Sequence, residues 1–487
     1  MMGSKSHSSK SSSPPSSFVY FRCIPILTVL VLSLTYLFLL FVPLRHVPRG
    51  SSSRLDETQF EGDLRDVMFP WNRLCFGPTF EKLKIAAFSK TWPIGAGPGG
   101  MERHAATLYR SLAQRGHKIH VFTVPSDRKP HGDIHEGNLH VYFAANDHGS
   151  VNCSLAFEIF NGVNADGAFD YVHTESVSLP HWRAKNVPNV AVTWHGIWYE
   201  IMHSKIFQEL LSDPKGVLPG SVNELQEAVP RLLDEIRFFP SYTQHICISK
   251  SAADVLVRIY QLPPRDVHVI LNGVDESRFI PDTESGIHFR EKHRIPRNAT
   301  IVLGVAGRLV QDKGHPLLYE AFASLSWRHP GVFLLVAGSG PWARRYSELG
   351  PSVRVLGPLE PSELSGFYNA IDVFVNPTLR PQGLDLTIIE AMHCGKPVLA
   401  PNYPSISGTV VLNEGLGYTF SPNVKSFVEA LESVVRDGPE KLKGKGMACK
   451  EHALGLFTAT KMASAYERFF LCLKNPRYCQ YPLQSDC

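Results

Sequence analysis

The sequence predicts an α/β protein of two doubly wound domains facing a cleft, with one transmembrane helix ahead of them. Three observations carry that expectation. Short apolar runs alternate with helical stretches from Lys84 to Ala400, the pattern of parallel sheets covered on both faces. The chain has 487 residues, too many for one ordinary core, and 44% hydrophobic residues with 37 Gly and 36 Pro suit a loop-rich fold. The run Cys23–Val42 holds 20 residues without a charge, enough helix to cross a bilayer.

Residues 1–17 are Ser/Pro-rich, with Lys5 and Lys10, and read as a disordered cytosolic tail; residues 18–42 hold the transmembrane helix. A signal peptide has a shorter apolar core and ends at small residues, and Phe41–Leu44 offers none. Lys5, Lys10 and Arg22 on one side are balanced by Arg45, Arg49 and Arg54 on the other, so basic residues do not set the orientation. Two sequons, at Asn152 and Asn298, and the crowding of Cys472, Cys479 and Cys487 at the C-terminus favour a lumenal body in the Golgi or another secretory compartment. The alternative is free tail thiols, with Cys247 and Cys394 as small buried hydrophobes.

A net charge of +4, from 49 basic and 45 acidic residues spread along the chain, gives no concentrated basic face and excludes nucleic acid as the partner. His131, His135, Glu136 and His140 lie in a Gly-containing stretch that reads as a solvated loop and misses the H-E-x-x-H spacing of a helical metal site. No D-x-D pair is present to hold a cation on a diphosphate, so no metal is expected.

A polar stem spans residues 43–82. The first domain, 83–285, opens with a strand Lys84–Phe88, a loop Pro93–Gly100, a helix Met101–Arg115 ended by Gly116, and a strand Lys118–Val124. Apolar runs at Leu139–Phe143, Tyr171–Thr174, Val190–Trp194, Ile246–Ile248 and Val267–Leu271 continue it. The second domain, 286–455, has strands at Ile301–Ala306, Val332–Ala337, Val353–Leu356, Val373–Val375 and Val398–Ala400. Residues 456–487 form a last helix, Phe457–Leu473, and a Cys-containing tail.

The candidate site residues stand at the carboxyl ends of these strands, where ligands bind in open parallel sheets. The strand Val373–Val375 runs through the turn Gly383, Leu384, Asp385 into a helix from Leu386, whose free N–H groups and positive dipole end favour phosphate or a sugar. Glu390, one turn in, reaches a ligand hydroxyl or merely complements the helix dipole. Gly95, Gly97 and Gly100 match G-x-G-x-x-G, but no acid ends the second strand, Asp127 lying beyond Pro125, so a nicotinamide site is disfavoured. Gly99 and Gly100 instead let backbone approach a phosphate, or make a plain turn. His195 ends the strand Val190–Trp194 beside Gly196, as a ligand-facing group or a structural one. Arg308 and Lys313 follow the strand Ile301–Ala306 and suit a diphosphate, the alternative being a solvated basic turn. Gly338 and Gly340, at the next strand end, free backbone N–H groups for a ligand or simply turn the chain.

Together these stretches resemble the family-4 retaining glycosyltransferases of the GT-B fold, with two Rossmann-like domains, and the likeness spans residues 83 to about 440. The matching pieces are PGGMERH in the first loop, the HG at His195, ISKS at Ile248–Ser251, NGVD at Asn272–Asp275, GRLVQDKG, GSGP and GLDLTIIEAMHCGKPV. The resemblance implies a nucleotide-sugar donor held by the second domain, a glycan, lipid or small metabolite as acceptor held by the first, retention at the anomeric carbon, and neither metal nor cofactor. Membrane anchoring favours a glycan or lipid. By the same likeness Arg308 and Lys313 hold the diphosphate, Glu390 the ribose, His195 the donor sugar region, and Gly100 belongs to the phosphate-facing loop.

The sequence departs from that family at one place. Where the family has a first glutamate, seven residues separating it from the second, this chain has Gln382, and Asp385 replaces a glycine. Gln382 still bonds hydroxyls but supplies no charge beside a growing cation, and Asp385 sets a carboxylate near a dianion unless it turns to a cation or to sugar hydroxyls. A second reading is a catalytically weak homologue that serves as a nucleotide-sugar-binding or scaffolding subunit. A nicotinamide oxidoreductase stands further off.

Overall fold

The computed structural model describes residues 60–95, 99–211, 219–484 and 486, so the expected tail, the membrane span and much of the stem lie outside it. Among the described residues no helix is long and apolar enough to cross a membrane. The first sheet is built from β1 (Lys84–Phe88), β2 (Lys118–Thr123), β3 (Ile134–Glu136), β4 (Leu139–Phe143), β5 (Tyr171–Glu175), β6 (Val190–Trp194), β7 (Gln244–Cys247) and β8 (Val267–Val269). Their order is β3-β4-β2-β1-β5-β6-β7-β8, and every pair is parallel except β3 with β4. Helices on both faces bury these strands, which is why they read as near-continuous apolar runs.

The segment from His131 to His140 corrects the expected loop. Its middle is strand β3, antiparallel to β4 through a two-residue turn whose first residue, Gly137, takes φ +59°. The strand is short, polar and exposed, so no periodicity announced it.

The second sheet holds β9 (Ile301–Ala306), β10 (Val332–Ala337), β11 (Val353–Gly357), β12 (Val373–Val375), β13 (Val398–Pro401) and β14 (Gly417–Phe420), in the order β11-β10-β9-β12-β13-β14 and parallel throughout. In each sheet the chain reverses direction of growth beside the first strand, between β1 and β5 and between β9 and β12. A crevice opens at such a switch point, outside the strands' carboxyl ends. Four helices deliver residues there: α1 (Gly100–Gln114), α2 (Trp198–Leu211), α3 (Lys250–Arg258) and α4 (Leu386–His393).

The described part of the expected stem is instead packed into the body. Leu64, Trp71, Leu74 and Phe76 are buried, and Asn72 exchanges two hydrogen bonds with the Leu271 backbone, at 3.1 and 2.6 Å. Scattered aromatics among polar residues hid this, because the segment has no regular period.

The C-terminus also returns to the first domain. Helix α5 (Val424–Leu456) breaks at Gly438, φ +70°, before Pro439. Helix α6 (Ala459–Lys474) then crosses over: the Tyr466 and Thr193 hydroxyls lie 2.7 Å apart, His117 Nε2 meets Glu467 at 2.9 Å, and Trp71 packs edge-on against Phe469. Tyr466, Phe469 and Phe470 are fully buried there, each contributing about 1.5–3 kcal/mol. Cys472 and Cys479 form a disulfide, Cys75 is also disulfide-bonded, and Cys247, Cys394 and Cys449 are buried and free.

Candidate active site

The loops after β9 and β12 meet at the second sheet's switch point. Close approach of two backbones sets the first. Gly307 and Gly338 both have φ +131°, and a Cβ on Gly338 would run into the Gly307 carbonyl, as one on Gly340 would run into that of Leu309. The Gly338 N–H donates to the Gly357 carbonyl at 2.7 Å, and the Leu309 N–H to that of Ser339 at 2.8 Å. The Gly338 N–H is therefore taken by protein, and both glycines allow the close approach of the turn. The packing leaves Arg308 exposed, with no side-chain partner among the described residues.

Lys313 closes the same loop, and its ammonium donates to Asp385 Oδ1 at 2.6 Å. Asp385 Oδ2 accepts from Asn376 Nδ2 at 3.0 Å. Burial alone would raise the Asp385 carboxyl; Lys313 and then the Asn376 bond outweigh it and hold it low. The carboxylate that the sequence set next to a diphosphate therefore turns to a cation. Beside it Arg380 pairs with Asp312 at 2.5 Å.

The turn before α4 is clamped by the first domain. Ser249 Oγ donates to the Gln382 carbonyl at 2.5 Å, and Asn272 Nδ2 to the Leu384 carbonyl at 2.8 Å. The ISKS and NGVD stretches thus hold the turn across the cleft. Leu384 and Leu386 have buried side chains and Gln382 is 6% exposed, its Nε2 lying 3.4 Å from His203 Nδ1 on α2. Gln382 Oε1 has no hydrogen-bond partner among the described residues.

Glu390, in α4, is buried with both carboxylate oxygens engaged. Tyr368 Oη donates to Oε2 at 2.6 Å, and the Arg103 guanidinium from α1 bonds Oε1. Sequence reasoning missed Arg103 although it lies within PGGMERH, because the glycines drew the assignment. Gly99 is the N-cap of α1 with no side-chain cap bond, and Glu102 folds back over it, accepting from Thr91 Oγ1 at 2.7 Å. A Cβ on Gly100 would meet nothing within 4 Å among the described residues.

On the first-domain side His195 follows β6, and its Nε2 lies 2.5 Å from Glu175 Oε2. Glu175 Oε1 accepts from Tyr109 Oη at 2.7 Å, and His173 bridges Tyr109 at 2.9 Å and Thr193 at 2.8 Å. Burial would raise the Glu175 carboxyl, but the imidazoles around it, His104 first, bring it down to about 2. Glu175 was missed because it sits one residue past the apolar run that marks β5. His104, Glu175 and His195 offer ligand atoms within 4.8 Å of one another, a donor set that suits a transition metal, yet both Glu175 oxygens already take hydrogen bonds from Tyr109 and His195.

One more carboxylate faces the turn. Glu200, on α2, is 2% exposed, with Oε1 set against Gly383 and, among the described residues, without a hydrogen bond of ordinary geometry. Burial raises its carboxyl, opposed first by Arg380 and then by Lys313. One turn further along α2, Ser204, Lys205 and Gln208 line a cavity of about 340 Å³ with Gln311, Asp312 and Arg380.

Comparison with known proteins gives the family. The profile described as Glycosyltransferase Family 4 matches residues 98–278, and that of Glycosyl transferases group 1 matches residues 287–447. The D-inositol 3-phosphate glycosyltransferase of Xylanimonas cellulosilytica is 26% identical over 362 residues, covering 69% of this chain and 83% of its own. The GDP-mannose-dependent alpha-(1-6)-phosphatidylinositol monomannoside mannosyltransferase of Mycolicibacterium smegmatis is 27% identical over 233 residues, 45% of this chain and 58% of its own. The sucrose-phosphate synthase of Thermosynechococcus elongatus superposes with a TM-score of 0.63 at 20% identity, over 81% of this chain and 100% of that one, and shares the fold. The two matched profiles, joined in this order over two sheets that face one cleft, show that the chain belongs to the family-4, group-1 glycosyltransferases of the GT-B fold.

Proposed function

We propose that this chain is a metal-independent retaining glycosyltransferase, moving a sugar from a nucleotide-diphosphate donor to an acceptor that carries an inositol or similar polyol headgroup, on a lipid or glycan. The observation that supports it most is the convergence of Arg308, Lys313 and the Gly383–Asp385 turn at one switch point. In the reaction the bond from the anomeric carbon to the diphosphate oxygen breaks. A bond to the acceptor hydroxyl forms on the same face, and the hydroxyl proton leaves with the diphosphate. Such a step asks for cations on the leaving group more than for a strong base.

Arg308 forks the diphosphate oxygens, and Lys313 adds the donors not given to Asp385. Glu390 receives ribose hydroxyls on the lone pairs that Arg103 and Tyr368 leave free. His195 lines the donor sugar region, oriented by Glu175. The names of the two relatives, both inositol-linked, support this acceptor class. The apolar run Cys23–Val42 anchors the protein as a single-span membrane protein with its body in the Golgi or another secretory lumen, where the Cys472–Cys479 disulfide is stable.

The test is a screen of the secreted body, residues 51–487, against UDP-, GDP- and ADP-sugars by thermal shift and hydrolysis, followed by inositol phosphate and phosphatidylinositol as acceptors. One donor should raise the melting temperature and turn over, with transfer to one acceptor. Stabilisation by NAD(P) and by no nucleotide sugar would reverse the reading. Gln382 in place of a carboxylate favours a second one, a donor-binding subunit with little turnover. Binding without transfer to any acceptor would select it.

A further inference from the structure

The turn Gln382–Gly383 has an unusual balance of hydrogen-bonding atoms. Among the described residues two buried acceptors beside it, Gln382 Oε1 and Glu200 Oε1, have no hydrogen bond of ordinary geometry, only the Gly383 N–H being set against the Glu200 carboxylate. Acceptors left unbonded in a buried place are costly, so such a place suits a group that brings donors. A sugar, with its ring of hydroxyls, is such a group; a phosphate is not.

Glycines on both sides make the room. A Cβ on Gly383 would meet Glu200 Oε1 at 3.0 Å, and one on Gly196 would lie 3.6 Å from Oε2. The Glu200 carboxylate therefore sits between the residue after Gln382 and the residue after His195, the two loop ends that face each other from opposite domains. The charges around it are Arg380, Lys313 and Asp385. Arg380 is paired with Asp312 and Lys313 with Asp385, so among the described residues Glu200 has no ion pair of its own.

We infer that Glu200 is the carboxylate of the donor-sugar subsite, carried by the first domain to the place where Gln382 supplies none. Its Oε1 accepts a sugar hydroxyl, and its charge opposes the positive charge that grows on the ring as the diphosphate departs. This rests on the glycosyltransferase reading above, and it names a residue outside every motif that carried the resemblance.

The experiment compares wild type, E200Q, Q382E and the double variant E200Q/Q382E, all in the secreted body. Turnover of the active nucleotide sugar is measured, with calorimetric affinity for that sugar nucleotide and for the free nucleoside diphosphate. E200Q should lose at least tenfold in turnover and weaken the nucleotide sugar, while the free diphosphate binds within twofold of wild type. The double variant should regain most of the loss, because a carboxylate returns from the other side of the same subsite. A merely structural Glu200 would not be rescued in this way.

E200Q turnover within twofold of wild type, or a folded double variant as slow as E200Q, overturns the assignment and leaves the glycosyltransferase reading intact. A wild type that binds no nucleotide sugar overturns both. Should E200Q fail to fold, E200D carries the test: it keeps the charge but withdraws it, so turnover should fall while diphosphate affinity holds, and unchanged turnover overturns the inference.

Discussion

The Arg103 guanidinium and the Glu390 carboxylate bond each other across the cleft, from helices 287 residues apart in sequence. Both are largely buried, with side chains 22% and 2% exposed, so removing either partner leaves a charge in a poorly solvated place. We expect R103A and E390A each to lower the melting temperature clearly, by a cost of roughly 3–5 kcal/mol, and the double variant to cost less than their sum by about 1–3 kcal/mol. Strict additivity in a thermal double-mutant cycle would show that the pair is not coupled.

Lys313 divides its donors between Asp385 and the proposed diphosphate. K313A should weaken nucleoside diphosphate affinity by about tenfold or more, a charge-assisted bond being worth about 1.5–3 kcal/mol. D385N should act in the opposite direction, tightening it severalfold by releasing the lysine. Calorimetry with UDP and GDP distinguishes these signs, and equal weakening in both variants would mean that Asp385 itself holds the ligand.

Glu235 provides a pH test away from the cleft. Burial pushes its carboxyl up to about 7, against hydrogen bonds from Tyr260 Oη and, at 2.7 Å, from the Trp198 N–H. Because the folded value lies above the unfolded one, the folded state binds the extra proton, and this group's share of stability declines as pH rises from about 4.5 toward 7. Both bonds end on Oε2, so one amide oxygen replaces it. E235Q should therefore gain on wild type at pH 8 relative to pH 5, by at most roughly 3 kcal/mol. Melting curves that stay parallel across that range would contradict the assignment.

The two sequons differ in access. Asn298 is exposed, whereas Asn152 caps the helix Cys153–Ala165, its Oδ1 accepting from Ser154 and Leu155 N–H at 3.1 Å. If the body is lumenal, an endoglycosidase shift should vanish in N298Q and persist in N152Q. No shift in wild type from a eukaryotic secretory host would count against the lumenal orientation.

The sheets were legible because parallel strands buried on both faces have to be apolar, and β1, β6, β9, β10 and β12 begin and end where the apolar runs do. Strand β7 begins at Gln244, two residues before the apolar run, because Gln244 and His245 are polar yet held in the sheet, with Gln244 bonding Asp266 and His268. Of the candidate site, Glu390, His195 and Lys313 stood out in the sequence from their place near strand or helix ends. Arg103, Tyr368, Glu175 and Glu200 did not. Their roles come from contacts between elements far apart in sequence, and a single residue type at an ordinary position carries no trace of such a partner. The pairing of Lys313 with Asp385 shows the same limit: each residue was conspicuous, but their neutralising contact exists only in three dimensions.

Helix α6 bears on how halves of such enzymes can be exchanged. The chain enters the second sheet once, but its last helix ends on the first, with Tyr466 at Thr193 and Phe469 at Trp71. A chimaera that grafts a foreign second half through a single junction near residue 286 would bring a stranger's terminal helix to a surface shaped for this one. Exchanging the second half therefore requires two junctions, the second in the short connection Phe457–Thr458, so that each half keeps the helix it was packed with.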